Sequence, residues 1–292
     1  MIRLETATAS LDLLPDEGGG VSRYDVIVDG IALPIFQTAP DPTRTGPFRL
    51  GCNVLAPWAN RISGGGFTQD GHFHALAPNI AGEPYPNHGN GFALPWHVAE
   101  ATATRATLGL AADGPGPFRY AARLVYGLAG STLTATLTLT NRATIALPFG
   151  GGFHPWFVRT PVTRLTLRAD GVWTERADHL PERWEPLARH PEWDFSAGRA
   201  LPADWINAAF TGWNGRARID WPEMGLAVEI TARAPLGTAM VYSPSAAADY
   251  VSVEPVSHTV DAHNMDGPHV ARPQVLAPGD TLTLAMTLRP TA

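Results

Sequence analysis

Alternation of apolar and polar residues with a period of two is the feature that most restricts how this chain can fold. The clearest run, residues 131–140, reads STLTATLTLT, and residues 281–288 repeat the pattern near the C-terminus. In an extended strand such a run places Leu and Ala on one face and Thr on the other. A strand with one apolar face needs a second layer to cover it, so the pattern predicts large antiparallel sheets packed face to face.

Further strand-like runs and frequent turn-forming residues extend this prediction along the chain. Residues 67–76 are typical of a hairpin around Asp70-Gly71, a dipeptide that accepts positive φ in tight turns. The 29 glycines and 27 prolines leave little room for long helices. Short helical turns are expected near residues 53–60 and 202–209. Strand-like sequence is found in five more segments: residues 21–28, 119–126, 164–167, 226–230 and 250–254.

No domain boundary is evident within the chain. Its 292 residues contain no repeat of fixed period and no low-complexity linker. An apolar content of 45% is ample for a core, and all-β sandwiches often exceed the usual domain size. Residues 181–203, rich in Trp, Pro and charge, are interpreted as a long ordered loop rather than a linker. We therefore expect one all-β domain that spans residues 1–292.

The residue inventory excludes several classes of function. Charged residues make up only 16% of the chain, the formal net charge is −6 and no basic face is evident, which argues against a nucleic-acid partner. All 21 basic residues are Arg, which excludes a Schiff-base lysine and a phosphate-binding loop that ends in Gly-Lys. Cys52 is the only cysteine, so neither an intrachain disulfide nor a thiolate zinc cluster can form. We expect no metal and no other cofactor.

Targeting signals are also absent from the pattern of the sequence. Residues 1–16 lack the basic and apolar regions of a secretory signal. No stretch approaches the ~20 apolar residues that a transmembrane helix needs. These observations predict a cytoplasmic protein without a membrane partner, either a monomer or a homodimer.

Four short segments, far apart in sequence, carry side chains suited to proton transfer. They are residues 59–62 (ANRI), 87–89 (NHG), 152–156 (GFHPW) and 252–255 (SVEP). Together they supply an arginine, two histidines and a carboxylate beside turn-forming or aromatic residues. An acid, a base and hydrogen-bonding anchors are what cofactor-free chemistry on a neutral, hydroxyl-rich substrate requires.

Glu254 is the candidate carboxylate. Alternation within residues 250–254 puts two valines on one face of a strand and Ser252 and Glu254 on the other. Pro255 is expected to end this strand, which would leave Glu254 at a strand end on the surface of a sheet. That position suits a general base, although the pattern alone also fits a solvated glutamate on an outer face.

The other three segments offer two histidines and an arginine. His154 follows three glycines and precedes Trp156, so the backbone can approach a ligand closely and aromatic rings can stack on a sugar. His88 lies in a loop that reads PNHGNG. Arg61 presents a planar fork of donors able to hold vicinal hydroxyls. The structural alternatives are a packed histidine for His154, a surface histidine for His88 and an ion pair for Arg61.

The order and the local sequences of these segments resemble those of the aldose 1-epimerase (galactose mutarotase) family. Asn60-Arg61-Ile62, followed by GGGF and Asp70-Gly71, is similar to a family signature. Val253-Glu254-Pro255, followed by DAHN at 261–264 and Pro278-Gly279, is similar to a late family strand. The resemblance extends from about residue 21 to residue 279. It implies the fold of the family, a galactose-mutarotase-like β-supersandwich.

The resemblance also implies roles for individual residues. Glu254 corresponds to the general base of the family, and His154 lies in the segment that carries its general acid. His88 matches a histidine that binds the substrate near the ring oxygen. We expect these three side chains to converge on one cleft on a sheet face. Substrate-binding roles are expected for five residues in all: Asn60, Arg61, His88, Trp156 and Asn207.

One position departs from the family pattern. In the segment from 206 to 213, Asn207 stands where the family commonly has Asp. An amide can donate and accept hydrogen bonds but carries no charge, and Asp204 nearby is a candidate substitute. This departure puts a galactose-type preference in doubt.

The predicted function is interconversion of the α and β anomers of a free monosaccharide. Two alternatives remain: an epimerase for an anionic sugar, such as a hexose 6-phosphate or a sulfonated sugar, and a noncatalytic carbohydrate-binding module.

Several weaker signals have structural alternatives. His72 and His74 share a strand face but lack a third metal ligand, so surface placement is favoured. Trp58 and Trp96 suit either a sugar-stacking cleft or the core. Three further histidines follow Glu254, and the sequence does not distinguish which one lies near the site: His258, His263 and His269.

Overall fold

The computed structural model describes residues 1–37 and 49–292, and β-strands dominate it. The first twelve strands are β1 (Ile2–Glu5), β2 (Ala9–Leu14), β3 (Gly20–Val28), β4 (Ile31–Pro34), β5 (Cys52–Leu55), β6 (Gly66–Gln69), β7 (His72–Ala75), β8 (His97–Ala101), β9 (Arg105–Asp113), β10 (Arg119–Ala129), β11 (Thr132–Asn141) and β12 (Leu147–Phe149). The next twelve are β13 (Gly152–Val158), β14 (Arg164–Leu167), β15 (Gly171–Glu175), β16 (Pro181–Pro186), β17 (Arg199–Ala200), β18 (Ile206–Thr211), β19 (Arg216–Trp221), β20 (Leu226–Ala232), β21 (Thr238–Ser243), β22 (Tyr250–Val256), β23 (Gln274–Leu276) and β24 (Thr281–Thr291). Short 3-10 helices occupy Leu187–Arg189, Pro191–Trp193 and Pro222–Met224. Within the described ranges, no helix is long and apolar enough to cross a membrane.

Two large antiparallel sheets make up most of the structure. The eleven-stranded sheet has the order β1-β2-β3-β5-β13-β22-β21-β18-β15-β16, with β4 paired to β3. The nine-stranded sheet has the order β17-β14-β19-β20-β24-β11-β10-β9-β8. The predicted all-β architecture of large antiparallel sheets is therefore confirmed.

The alternating runs supply the core between these sheets. In β11 the residues Leu133, Ala135, Leu137 and Leu139 are buried, while the threonines between them are partly or fully exposed. These side chains belong to one hydrophobic cluster that also contains Val251 and Val253 of the other large sheet. Removal of such apolar surface from water is the main favourable term in folding. The same alternation leaves the opposite face of β22 available for polar side chains.

The predicted strands and hairpin are present at or near their expected positions. The hairpin consists of β6 and β7, and Asp70 and Gly71 at its tip have φ of 50° and 77°. Both predicted helical turns are wrong, because residues 52–55 form β5 and residues 206–211 form β18. Both strands are paired to neighbours inside the large sheet, and this pairing overrides the weak local preference for a turn. The predicted loop at residues 181–203 contains β16, β17 and two 3-10 helices.

Pro255 does not end its strand as predicted, since β22 continues to Val256. Its pairing with β13 joins Gly152 to Val256 and then resumes at Trp156 and Ser252. Pro255 lies between these two pairs, where β22 forms no ladder pairs with β13. No hydrogen bond to β13 therefore requires the N–H group that proline lacks. The strand therefore passes through the proline, and the interval also contains Glu254.

Candidate active site

The structure brings all seven predicted site residues to one open cleft of about 200 Å³. The floor of the cleft consists of side chains from β13, β22, β21 and β18, which are consecutive strands in the middle of the eleven-stranded sheet. The walls come from the loops between β5 and β6, between β7 and β8 and between β15 and β16, and from the residue before β18. The seven residues are Asn60, Arg61, His88, His154, Trp156, Asn207 and Glu254.

His154 and Glu254 face each other across two neighbouring strands. The register that pairs Gly152 with Val256 and Trp156 with Ser252 sets His154 opposite Glu254. The imidazole Nε2 lies 3.3 Å from Oε1 of Glu254, and only 7% and 4% of the two side chains is exposed. Two titratable groups this close can exchange protons with neighbouring atoms of one small molecule.

Ser252 determines where one proton of His154 lies. Its hydroxyl donates to the backbone carbonyl of Pro155 at 2.7 Å and lies 3.0 Å from Nδ1 of His154. A hydroxyl has one proton to donate, so Oγ accepts the second bond from an Nδ1–H group. His154 thus holds a proton on Nδ1, and Nε2 and the facing Glu254 carboxyl are left to share the exchangeable proton.

Burial changes the proton affinity of Glu254. Desolvation raises the pKa of this carboxyl from 4.5 to about 8, although a hydrogen bond from the Ser252 side chain and the positive charge of Arg61 oppose the shift. Among the described residues, no hydrogen-bond partner contacts its second oxygen, Oε2. A buried carboxylate with an unsatisfied oxygen is costly, so near neutral pH the Glu254 carboxyl favours its protonated form.

His88 is a neutral histidine in a defined tautomer. The backbone N–H of Asn60 donates to Nδ1 of the His88 ring at 3.0 Å, and the backbone N–H of His88 donates to the backbone carbonyl of Asn60 at 3.1 Å. Burial, together with the neighbouring His154 and Arg61, holds the pKa of His88 well below its usual range. With Nδ1 acting as an acceptor, the single ring proton is on Nε2. His88 therefore presents a donor whose charge does not change near neutral pH.

Arg61 forms the ion pair that was its structural alternative, and it also lines the cleft. Its Nε and Nη2 donate to the two carboxylate oxygens of Glu83 at 2.8 and 2.9 Å. Only 12% of the Arg61 side chain is exposed. This bidentate contact fixes the plane of the guanidinium. Nη1, which lies 3.5 Å from Oδ1 of Asn60, is the nitrogen that Glu83 leaves unengaged.

The tryptophans divide between the cleft and the core. The indole of Trp156 stacks on the His154 ring with centroids 4.4 Å apart and an angle of 19° between the rings. This stack restricts rotation of the imidazole that faces Glu254. Trp58 and Trp96 are buried in the hydrophobic core and do not line the cleft.

Asn207 lies on the cleft wall, and its amide Nδ2 donates to Oε1 of Glu175 at 2.5 Å. Asp204 is exposed and does not line the cleft, so it does not take the place of the family Asp. A carboxylate is nevertheless present directly behind Asn207. Glu175 therefore places a carboxylate next to the amide at position 207.

Sequence reasoning missed several residues around the cleft. Five more side chains line it: Glu83, Asn87, His179, Trp205 and Tyr242. Asn87 was part of a recognised segment, but the others belong to loops or strands without a distinctive local motif. The one available signal was alternation, because Tyr242 in β21 and Asn207 in β18 are directly paired across the sheet.

The remaining histidines lie outside the cleft. His258 is buried, and its Nε2 accepts the backbone N–H of Ala59, so it supports the segment that leads to Asn60 and Arg61. His263 packs against aromatic rings of the core, and His269 stacks on Trp184. His72 is exposed on its hairpin, and in the described part of the chain no three His, Cys, Asp or Glu side chains cluster as a metal site would require.

Comparison with known proteins identifies the family. The family model described as aldose 1-epimerase matches residues 3–289, nearly the whole chain. The chain belongs to the aldose 1-epimerase family. The resemblance inferred from the motifs is therefore confirmed.

Three relatives show how far the similarity extends. The chain is 36% identical over 245 residues to a protein of Escherichia coli K12 named uncharacterized protein YphB, and the match covers 82% of this chain and 83% of the relative. A solved structure from the same organism, named "putative aldose 1-epimerase", superposes with a TM-score of 0.88 at 30% identity and covers 99% and 98% of the two chains. A GalM/aldose epimerase homologue from C. elegans has the same fold, with a TM-score of 0.83 at 15% identity over 99% and 98% of the chains. The galactose-mutarotase-like fold predicted from the sequence is confirmed.

Proposed function

We propose that this protein is an aldose 1-epimerase that interconverts the α and β anomers of a free aldose. The observation that carries this proposal is the direct opposition of His154 and Glu254, with Nε2 and Oε1 3.3 Å apart at the floor of a polar cleft. Anomer exchange requires proton transfer at O1 and O5 of the sugar, two oxygens bonded to the same carbon. An acid and a base must therefore lie side by side, as these two groups do.

The proposed reaction uses the shared proton of this pair. In the reactive form, Glu254 is ionised and His154 carries protons on both ring nitrogens. Glu254 takes the proton from the C1 hydroxyl, the C1–O5 bond breaks as C1=O1 forms, and His154 Nε2–H donates to O5. Rotation about C1–C2 and closure with the transfers reversed give the other anomer. The pair holds one exchangeable proton before and after each step, so the cycle is balanced.

The surrounding residues would position the sugar. His88 offers an Nε2–H donor that stays neutral, and Arg61 offers Nη1 from a guanidinium that Glu83 holds in place. Ser252 keeps the His154 ring in the orientation that points Nε2 toward the reacting atoms. These groups are fixed by contacts with the protein, so little ordering is needed when the sugar binds.

The charge of the cleft favours a neutral sugar. Arg61 is the one arginine that lines the cleft within the described ranges, and it is already paired with Glu83. His179 likewise lies against Glu175, at 2.5 Å from its carboxylate. A phosphate or sulfonate would meet carboxylates without a free cation to balance its charge.

Location in the cytoplasm and assembly as a monomer or homodimer stay predictions.

A panel of sugars tests the proposed function. We expect catalysed anomer exchange of glucose, galactose or xylose, with kcat/KM at least about tenfold above that for glucose 6-phosphate or sulfoquinovose. Polarimetry, or exchange spectroscopy by NMR at anomeric equilibrium, measures the rate. Preference for an anionic sugar would instead support an epimerase for a hexose 6-phosphate or a sulfonated sugar. Sugar binding without any exchange would support the noncatalytic binding module.

The rate should depend on pH in a way that reports the shared proton. Because burial raises the pKa of Glu254 to about 8, the pair keeps its proton below this pH and loses it above. We expect kcat/KM, corrected for the uncatalysed rate, to fall as pH rises through about 8, since His154 then lacks the proton it donates. A pH–rate profile measured from about pH 6 to about pH 10 tests this expectation, because that range lies on both sides of the expected decline. A catalysed rate that kept rising through this range would contradict the shared-proton scheme.

A further inference from the structure

Glu175 accepts hydrogen bonds from three side chains at the wall of the cleft. Its Oε1 lies 2.5 Å from Nδ2 of Asn207 and 2.5 Å from Nδ1 of His179, and its Oε2 lies 2.8 Å from Nε1 of Trp205. An amide NH₂ and an indole N–H can only donate, so the carboxylate is the acceptor in both contacts. All three partners line the cleft. One carboxylate behind the wall thus contacts three groups that form it.

The contact with Glu175 determines how Asn207 is oriented. If the amide were turned round, Oδ1 would lie against a carboxylate oxygen, an arrangement of two acceptors with no proton between them. The observed orientation commits one N–H of Asn207 to Glu175 and leaves Oδ1 as an acceptor for a hydroxyl. Asn207 therefore presents an acceptor where the family commonly has Asp, while the charge is located on the residue behind it.

Trp205 is held by the same carboxylate although 44% of it is exposed. Its ring stacks on His179 with centroids 5.7 Å apart and meets Tyr242 edge-on at 5.2 Å. An exposed indole normally has several accessible orientations, and the bond from Nε1 removes most of them. The result is a fixed aromatic surface beside the amide of Asn207, suited to the C–H face of a pyranose.

The backbone around Glu175 is organised to hold this position. Glu175 is the last residue of β15. In the pairing of β15 with β18, Trp173 lies opposite Ala209. Continuing this antiparallel register by two residues places Glu175 opposite Asn207. The turn that follows is fixed by Asp178, which accepts from Arg176 at 2.6 and 3.0 Å and from the Tyr85 hydroxyl at 3.1 Å. This turn delivers His179 back to the same carboxylate.

We propose that Glu175 is a positioning and specificity residue: it fixes Asn207, Trp205 and His179 as the wall that recognises the hydroxyl groups of the sugar ring. The inference rests on the proposed function for its substrate class, a neutral pyranose. Glu175 does not take part in proton transfer, which belongs to the His154–Glu254 pair. Its removal should therefore weaken binding of the sugar and leave the chemical step largely intact.

The first test replaces Glu175→Gln. Glutamine keeps the size of the side chain, but its NH₂ group faces at least one of the three donors, so at least one hydrogen bond to a charged acceptor is lost. We expect KM to rise about tenfold or more for glucose or galactose while kcat changes by less than about threefold. Tryptophan fluorescence titration with the same sugars should show a matching rise in Kd.

Glu185→Gln is the matched control. Glu185 lies on the adjacent strand β16, is 12% exposed against 16% for Glu175, and contacts a histidine, His190, at the same 2.5 Å. It does not line the cleft. We expect KM, kcat and Kd to stay at the values of the unchanged protein. An equal rise in KM in both variants would show a general effect of carboxylate loss and overturn the proposal.

The second test exchanges the chemistry of the two positions. Asn207→Asp alone places two carboxylates against each other, so KM should rise at least as much as in Glu175→Gln. Combining Asn207→Asp with Glu175→Gln restores a donor opposite an acceptor, and most of the lost affinity should return. A purely structural defect would not be rescued in this way. Failure of the double variant to improve on Asn207→Asp would overturn the proposal.

The proposal and the proposed function can fail separately. If the unchanged protein exchanges anomers and Glu175→Gln leaves KM and Kd unaltered, the role of Glu175 is wrong and the epimerase function stands. If the unchanged protein exchanges the anomers of none of the sugars, the proposed function is wrong. The NMR signal of the Trp205 indole N–H, assigned by its loss in Trp205→Phe, still tests the hydrogen bond from Trp205 to Glu175. That signal should shift in Glu175→Gln but not in Glu185→Gln, and an unmoved signal would refute the positioning role.

Discussion

Replacement of Glu254→Gln is expected to lower kcat for anomer exchange by about 100-fold or more, because the amide cannot take the proton of the C1 hydroxyl. Glutamine keeps the length of the side chain and its hydrogen-bonding capacity. Since burial raises the pKa of Glu254 to about 8, the native carboxyl is already largely neutral at pH 7. A neutral amide should therefore be tolerated, and the midpoint of thermal unfolding should change little. Polarimetric rates on purified protein measure the loss.

Two controls make this result specific. Glu254→Gln should still bind the sugar, so that the loss is located in the chemical step rather than in affinity. Its pH–rate profile should lack the decline near pH 8 expected for the unchanged protein, because that decline is assigned to the His154–Glu254 pair. Near-normal turnover in this variant would remove Glu254 from the proton-transfer role.

The second large effect is expected for His154→Asn. The Nδ2 group of asparagine can replace Nδ1 of the imidazole and donate to Ser252, which preserves the hydrogen bond observed at 3.0 Å. Nothing replaces Nε2, the atom that faces Glu254. Protonation of O5 would then fall to water, and we expect a loss in kcat of about 100-fold or more.

The measurement for His154→Asn is the same exchange rate, together with the sugar Kd from fluorescence. The Kd should stay within about threefold of the unchanged protein if His154 acts mainly in the transition state. His72→Asn, a change at an exposed histidine of the β6–β7 hairpin, is the control and should leave the rate unaltered. Retention of the normal rate by His154→Asn would assign the acid to another group.

Much of the fold and half of the cleft could be read from the chain because the relevant signals are local. The period-two pattern depends only on the geometry of an extended backbone, so it identified β11, β24 and the face of β22 that carries Ser252 and Glu254. The family motifs are contiguous segments, and they supplied all seven of the residues that were predicted for the cleft. The predicted helical turns failed because strand pairing overrides weak local preferences.

What the sequence by itself determined is therefore which residues form strands, which faces of those strands are apolar, and which motifs carry the candidate acid, base and anchors. Tertiary structure alone decided the order of the strands, and with it the contacts across them. The register of β13 against β22 sets His154 opposite Glu254, and burial at that point raises the pKa of the carboxyl. The approach of β15 to β18 brings Glu175 to Asn207, 32 residues apart in the chain. Such pairings depend on non-local packing of the whole sheet, and no local pattern encodes them.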